Sequence, residues 1–499
     1  MRVAAVSSAL LLILVLLLRS QAGPSSTTPP SMSERLSIIT QSAKKTDTYP
    51  EVRELTELIG PRLTGSVAEA KAEEQVLGRM REIGLSRVHA ESWVLPRSWR
   101  RGTATASLVE PFSLPIPVAA YGWTGSTYGA NGPSPVLLLS ADEVASHLDA
   151  LVRSQGPSWK GKVLLVSVKS ATPMRAYAQL LPLVQAATAA QAIAVVRHDP
   201  RPGAGIVHSE PLSVVLPKRV DPALIPAVDI PSGSEQLIED LLSSGRRVTM
   251  RISVENDFSS GPVTPNNIVG EIEGTTYPEQ VVLVGAHLDS WDLGTGATDD
   301  AFGAAAVLGA AQALIRSGLR PARTLRFVLF SGEEQGLLGS RAYVDSHANQ
   351  LDRIVAAFAL DWGAGRVVKL PAAGHAELLP LLRQLNTLAP SLGLEAPDDG
   401  WLFMTDAYAF TLVGLPGVAP LLDSPRYAEE AHSIEDTLDK VNPADLQQAM
   451  TVLALASFLL ADSPSIPPTR FTADQTRSSL MQGKQDRVLE VFGLWPFKE

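Results

Sequence analysis

The sequence predicts an α/β fold with a mixed, mainly parallel sheet, helices on both faces of that sheet, and a β-rich unit inserted into it. Strand-like apolar runs alternate with helical patterns over residues 262–462, whereas short apolar runs separated by Gly, Pro and Ser fill residues 105–261. Ionisable residues follow several of the predicted strands. This pattern is typical of sheets that carry functional sites at the carboxyl ends of their strands.

Length and composition exclude several classes of protein. The chain has 499 residues and a net charge of −10, with 45% hydrophobic residues, 19% charged residues and no cysteine. These values are ordinary for a globular protein. The acidic balance argues against a nucleic-acid partner. Without cysteine there are neither disulfides nor thiolate sites, so any metal must be held by His, Asp or Glu.

The N-terminus has the three-part plan of a secretory signal peptide. Arg2 precedes an apolar run over residues 3–18, and small residues end the segment at Ala22, where cleavage is predicted. A membrane anchor is the weaker alternative, because a span needs about 20 apolar residues. We therefore expect residues 1–22 to be removed and residues 23–33 to form a disordered leader. The mature protein is expected to be secreted or periplasmic, without membrane contact.

Residues 34–104 are predicted to form the first part of the main domain. Apolar residues recur at three- and four-residue steps from Ala72 to Ile83, and Gly84 then ends the pattern. This spacing predicts a helix. Residues 60–66 are predicted to form a loop before it.

The inserted unit over residues 105–261 contains five apolar runs that predict strands. They lie at residues 136–139, 163–168, 192–196, 227–230 and 248–254. One helix is predicted over residues 174–190, kinked or split by Pro182, which lacks a backbone donor. No ionisable cluster with ligand spacing is evident in this unit.

The second part of the main domain, residues 262–462, alternates predicted strands and helices. The strands are expected at residues 281–286, 324–330, 354–360 and 417–422, and the helices at 301–317, 335–347, 376–388 and 443–460. Residues 463–499 open with several prolines and are predicted to be a linker and C-terminal tail.

Ionisable residues follow three successive strands of this part, and a further histidine lies downstream. Alone, such an Asp is commonly a helix cap, and a Glu pair complements a helix dipole. Together, clustered anions repel unless a cation compensates them, so the pattern predicts a metal site. The ligand types favour zinc or another divalent ion, and their number fits two ions sharing a carboxylate. The residues are His287, Asp289, Asp299, Asp300, Glu333, Glu334, Asp361 and His432.

These motifs resemble the di-zinc exopeptidases, a family that includes bacterial aminopeptidases. Residues 277–292, 60–66 and 99–102 resemble the carboxypeptidase members of that family more closely, and the resemblance extends over residues 34–462. It implies a phosphorylase/hydrolase-like catalytic domain, two zinc ions per chain and a protease-associated domain as the inserted unit.

The resemblance also implies a role for each candidate ligand. Asp299 would bridge the two zinc ions. His287 and Asp361 would complete the ligands of one ion, and Glu334 and His432 would complete those of the other.

Other residues would act around the ions. Glu333 would be the general base that takes a proton from the attacking water and passes it to the leaving amine. Asp289 would hold the His287 ring from behind, and Asp300 would follow a cis peptide bond. The chain departs from many relatives at Ala431, where they carry Tyr or His, and Tyr427 is a candidate replacement.

The function expected from this resemblance is a secreted zinc exopeptidase that hydrolyses dipeptides or short peptides with free ends. One alternative is an aminopeptidase that trims longer peptides from the N-terminus. A catalytically inactive, receptor-like scaffold is disfavoured because all five ligand positions and the base are present. A single-zinc acyltransferase is disfavoured by His287. A homodimer, in which a second copy forms part of the pocket wall, is left open.

Overall fold

The computed structural model describes residues 30–127, 132–167, 173–201, 205–214, 221–464, 466 and 470–497. The predicted signal peptide and most of the predicted leader lie outside these residues. The leader prediction is wrong at its end, because a helix begins at Met32. Ser31 and Glu34 form a capping box there, with reciprocal hydrogen bonds that stabilise the first turn.

Strands and helices occur throughout the described chain. The strands are β1 (Ser86–Ser92), β2 (Trp99–Glu110), β3 (Leu114–Ile116), β4 (Ala119–Ala120), β5 (Ser134–Ser140), β6 (Val163–Ser167), β7 (Ala194–Arg197), β8 (Ala227–Asp229), β9 (Thr249–Phe258), β10 (Asn266–Ile272), β11 (Tyr277–His287), β12 (Arg323–Phe330), β13 (Ile354–Ala359), β14 (Arg366–Lys369), β15 (Gly417–Val418) and β16 (Leu421–Asp423). The α-helices are α1 (Met32–Ala43), α2 (Tyr49–Arg53), α3 (Val67–Ile83), α4 (Ala141–Gln155), α5 (Pro173–Ala178), α6 (Leu180–Ala189), α7 (Ser232–Ser243), α8 (Phe302–Ser317), α9 (Leu338–Ser346), α10 (Leu379–Leu388), α11 (Asp406–Thr411), α12 (Tyr427–Glu430), α13 (Pro443–Asp462), α14 (Ala473–Gln482) and α15 (Asp486–Val491).

The main sheet has the strand order β1-β10-β12-β11-β13-β15. The pairs β12–β11, β11–β13 and β13–β15 are parallel, whereas β1 and β10 are antiparallel to their neighbours. Along β11, Val282 and Val284 pack into a core with α1, α3, α8 and α13, while Leu283 packs against α9 and α11 on the other face. The prediction of a mixed, mainly parallel sheet with helices on both faces is confirmed.

Helix α13 lies at the centre of the larger core. Among the described residues, it is the one helix that is long and apolar enough to cross a membrane by length and composition. Its most apolar stretch is 78% buried inside the protein, as in the core helix of a globular domain. It packs against α8, whose many alanines permit a close approach.

The predicted strand over residues 417–422 is two short strands in different sheets. β15 joins the main sheet, whereas β16 pairs with β14 in a two-stranded sheet. Pro420 lies between them and cannot donate to a continuous ladder. Helix α11 was not predicted from the sequence.

A second unit, residues 99–258, is built on an eight-stranded sheet with the order β3-β2-β9-β5-β6-β7-β8-β4. All five predicted strands are present, but β2 already begins at Trp99, before the predicted boundary at residue 105. Helices α4 and α7 were not predicted. The predicted helix over residues 174–190 is divided at Gln179 rather than at Pro182. Pro182 lies in the first turn of α6, where a missing N–H costs no intrahelical bond.

The C-terminal segment, predicted as a linker and tail, contains the helices α14 and α15. Leu480 and Leu489 are buried in a cluster with Leu337 and Tyr408 of the main domain. This segment is therefore part of the packed structure and not a free tail.

Candidate metal centre

Three parallel strands end side by side at one edge of the main sheet. β11 ends at His287, β12 is followed by Glu333 and Glu334, and β13 is followed by Asp361. The loop that leads into α8 adds Asp299. The structure brings all eight predicted residues to this edge, and all of them are buried except His432, whose side chain is 18% exposed.

Asp299 lies between the two histidines. Its Oδ1 is 3.0 Å from His287 Nε2, and its Oδ2 is 3.1 Å from His432 Nε2. The Tyr427 hydroxyl donates a hydrogen bond of 2.8 Å to the same Oδ2. The two oxygens of one carboxylate therefore face two different imidazoles, which is the arrangement that a bridging ligand requires.

Each histidine has a further carboxylate beside it. His432 Nε2 is 3.0 Å from Glu334 Oε2, and His287 Nε2 is 3.8 Å from Asp361 Oδ1. The donor atoms of His287, Glu333 and Asp361 all lie within 4.8 Å of one another. A second group with the same spacing contains His287, Asp299 and Glu334.

The protonation behaviour of these residues fits a cation. Burial, reinforced by neighbouring carboxylates, raises the pKa of Glu333 well above its ordinary value and that of Glu334 to about 8. Burial also acts to raise the pKa of Asp299, but hydrogen bonds from the two histidines hold that pKa low. Glu334 Oε1 is buried and has no hydrogen-bond partner among the described residues. Such a cluster of anionic donors is stabilised by positive charge, which a metal supplies.

Asp289 and Asp300 lie behind the candidate ligands. The Asp289 backbone oxygen is 3.0 Å from His287 Nδ1, closer than its carboxylate at 3.6 Å. That carboxylate accepts hydrogen bonds from the Thr64 hydroxyl and the Glu333 amide. Asp300 follows a cis peptide bond and accepts from the amides of His287 and Gly303. Asp300 thus caps the start of α8 and fixes the end of β11.

Arg62 and Asp436 hold the loops of the site, and the sequence did not predict these roles. Arg62 is fully buried and donates to five carbonyl oxygens; they belong to Leu55, Gly60, Leu288, Thr295 and Gly296. Burial lowers the Arg62 pKa to about 10, so the side chain stays charged at neutral pH. The Asp436 carboxylate accepts from the amides of Ala297 and Thr298, just before Asp299. Arg62 lies within the loop predicted at residues 60–66, which was its one signal in the sequence.

A pocket of about 370 Å³ opens onto the cluster. The second unit and the C-terminal segment both contribute to its wall, which is largely apolar apart from the candidate ligands, Arg201 and Glu210. The wall residues outside the cluster are Met174, Tyr177, Arg201, Glu210, Pro211, Val214, Trp362, Phe403, Met404, Tyr427, Ala428, Ala431 and Phe492. Phe492 lies between the second unit and the main domain, with ring centroids 6.3 Å from Tyr177 and 6.2 Å from Phe403.

Residues 267–457, which contain the whole cluster, match the sequence model of peptidase family M28. Carboxypeptidase Q from Bos taurus is 29% identical over 426 residues, covering 84% of this chain and 86% of that protein. The human enzyme is 28% identical over 426 residues, with the same coverage of each chain.

Solved structures agree with these matches. A peptidase M28 precursor from Shewanella amazonensis SB2B is 27% identical, with a TM-score of 0.77, and the match covers 89% of this chain and 100% of that one. A zinc aminopeptidase from Bacillus subtilis, 23% identical with a TM-score of 0.63 over 86% of this chain and 98% of that one, shares the fold.

The fold, the donor cluster and these matches define a metallopeptidase with an M28 peptidase domain. The chain is similar to carboxypeptidase Q over most of its length, which confirms the resemblance to carboxypeptidase members of the family. These matches and the complete set of candidate ligands favour a peptidase over a receptor-like scaffold. The interpretation of the second unit as a protease-associated domain stays a prediction.

We expect Arg62→Lys to lower the free energy of unfolding by about 3 kcal/mol or more, because a lysine cannot satisfy five buried carbonyl oxygens. Urea denaturation in the presence of a chelator measures this effect without the contribution of bound metal. Arg53→Lys is the matched control, since Arg53 is 65% exposed and pairs with Glu57 at the surface. That control should change stability by less than about 0.5 kcal/mol. Equal stabilities of the two variants would contradict the role of Arg62.

Proposed function

We propose that this protein is a secreted zinc-dependent exopeptidase that hydrolyses dipeptides or short peptides. The observation that carries the proposal is the Asp299 carboxylate between His287 and His432, with Glu333 beside them at the base of a small pocket. Secretion rests on the predicted signal peptide. A precursor form of the Shewanella relative is consistent with it.

Two zinc ions fit the donors of this site. His287 and Asp361 would hold one ion, His432 and Glu334 would hold the other, and Asp299 would contact both. Imidazole and carboxylate donors suit zinc, and a shared carboxylate suits a pair of ions. When bound, zinc lowers the pKa of a bound water toward neutrality and polarises the scissile carbonyl.

Glu333 is the candidate for moving protons. Its backbone amide donates to the Asp289 carboxylate at 3.2 Å, which orients the residue from behind. Its own carboxylate lies on the pocket wall. In the proposed reaction, that carboxylate takes a proton from the attacking water and gives it to the leaving amine. The Tyr427 hydroxyl is held by Asp299, so it stays at the edge of the site and can donate toward the substrate carbonyl if it turns.

The charges of the pocket favour a free amino end. Among the described carboxylates on its wall, Glu333 is the one that is neither a proposed zinc ligand nor paired with a basic side chain, so it is the candidate acceptor for an ammonium group. Arg201 is the one Lys or Arg side chain among the described residues that line it, and Arg201 already pairs with Asp199 and Glu210. Recognition of the amino end is therefore better supported than recognition of the carboxyl end. The enclosing wall, including Phe492, supports short substrates. An aminopeptidase acting on longer peptides remains the second candidate.

Replacing Glu333 by Gln should leave the metal content unchanged and lower kcat by about 10³-fold or more, because the proton carrier is lost while the ligands remain. Metal analysis and steady-state kinetics of the same preparation measure both properties. Near-normal turnover would contradict the role of Glu333, and loss of metal would instead place Glu333 among the ligands.

The substrate proposal is tested with one dipeptide in four forms, free or blocked at each end. We expect acetylation of the amine to lower kcat/KM by at least about 10²-fold, because a polar group of the pocket loses its partner. If the enzyme is a dipeptidase, amidation of the carboxylate should lower kcat/KM by a similar factor. If amidation has no effect and longer peptides are trimmed from the amino end, the enzyme is an aminopeptidase. If acetylation has no effect, free-amine recognition is wrong.

A further inference from the structure

The second unit reaches the candidate metal centre through one carboxylate. Glu210 Oε1 lies 2.9 Å from Nδ1 of His432, although the two residues are 222 positions apart in the chain. The backbones of the two segments also pair, since the Ser209 amide donates to the His432 carbonyl oxygen at 2.8 Å. Glu210 is thus held directly behind the ring that faces Asp299 and Glu334.

The contacts of the two ring nitrogens fix the tautomer of His432. An ionised carboxylate accepts hydrogen bonds and cannot donate them, so Nδ1 of the neutral ring carries the proton that Glu210 accepts. Nε2 faces Asp299 Oδ2 and Glu334 Oε2 and can donate to Asp299 in the absence of a metal. With a metal bound, Nε2 would give up that proton, and the contact of Glu210 with Nδ1 favours this tautomer of the neutral ring. Three electron-rich atoms that face one another in this way form a set of metal donors.

Ion pairs within the second unit hold Glu210 in place. Arg201 Nη2 is 2.7 Å from Glu210 Oε1, and Arg201 Nε is 3.0 Å from Asp199 Oδ1. Arg201 also donates to the carbonyl oxygen of Ala431 at 3.4 Å, next to the histidine. The position of the carboxylate is therefore set by ion pairs within the second unit, and contacts with Ala431 and His432 join it to the main domain.

The two histidines differ in which part of the chain contacts their outer ring nitrogen, Nδ1. His287 Nδ1 contacts the backbone oxygen of Asp289, which is two residues away in the same loop. The His287 half of the site can therefore form within the main domain alone, whereas the His432 half depends on the second unit.

We propose that Glu210 is a positioning residue that makes binding of the ion at His432, Glu334 and Asp299 depend on the second unit. This inference rests on the proposed two-ion site. An ionised partner on the far nitrogen both orients an imidazole and increases its basicity, and loss of such partners typically weakens metal binding about 10- to 100-fold.

The test is a titration of the metal-free full-length protein with Zn²⁺ against a competing chelator. We expect Glu210→Ala to weaken one of two binding steps about 10- to 100-fold and to leave the other unchanged. Glu429→Ala is the matched control, because the Glu429 side chain pairs with Arg426 at the surface while lying only a few residues from His432. The control should bind both ions like the wild type.

Two further measurements separate positioning from a general structural effect. Formate added to Glu210→Ala should restore part of the lost zinc affinity, because it can occupy the vacated carboxylate position. The circular dichroism spectra of the metal-free variant and the metal-free wild type should be the same. Glu210→Gln keeps a hydrogen-bond acceptor but loses the charge, so its zinc affinity should lie between those of Glu210→Ala and the wild type. It replaces Glu210→Ala in the test if the alanine variant does not fold.

Unchanged affinity at both steps in Glu210→Ala, or equal weakening of both steps without formate rescue, would overturn this inference. A wild-type protein that binds fewer than two zinc ions would overturn the proposed function instead. In that case the affinity for the remaining ion tests the role of Glu210. If Glu210→Ala leaves that affinity unchanged, the role is rejected as well.

Discussion

The repulsion among buried carboxylates at one edge of the main sheet is the constraint on which the site depends. The donor atoms of Asp299 and Glu334 lie within 4.8 Å of each other and of His287, those of Asp361 lie equally close to His287 and Glu333, and burial shields all of them from water. Such a group is stable in its charged form only with compensating positive charge. Arg62 contributes one charge, but its five hydrogen bonds go to backbone carbonyl oxygens of the loops and not to the ligands.

The rest of the fold holds this unfavourable arrangement in place. The parallel pairing of β11 with β12 and β13 brings three strand ends together, and the Asp436 carboxylate fixes the loop before Asp299. The second unit closes one side of the pocket and contacts the outer nitrogen of His432. The C-terminal segment closes another side through Phe492. In the proposed function, these two sides of the pocket would limit the length of the substrate.

The features that the sequence predicted correctly are those encoded by neighbouring residues in the chain. The apolar run of β11 predicts a buried strand, and His287 marks the carboxyl end of that strand within a few residues. In β12 and β13, an apolar run is likewise followed within a few residues by a candidate site residue. The roles of Arg62 and Glu210 could not be found in this way, because the partners that tie them to the site, Leu288, Thr295 and Gly296 for Arg62 and His432 for Glu210, lie more than 200 residues away in the chain. The start of α1 is different, since the Ser31–Glu34 capping box is a local signal that the prediction of a leader overlooked. Helices α14 and α15 each bury a leucine against the main domain and gain stability from that packing, which composition alone does not reveal.

The central claim is that two zinc ions share the Asp299 carboxylate. Diffraction from crystals of the zinc-loaded protein, measured on both sides of the zinc absorption edge, tests it directly. The account predicts two anomalous peaks about 3.5–4 Å apart, one between His287 and Asp361 and the other between His432 and Glu334, with Asp299 in contact with both. A single peak, or two peaks that Asp299 does not bridge, would contradict it.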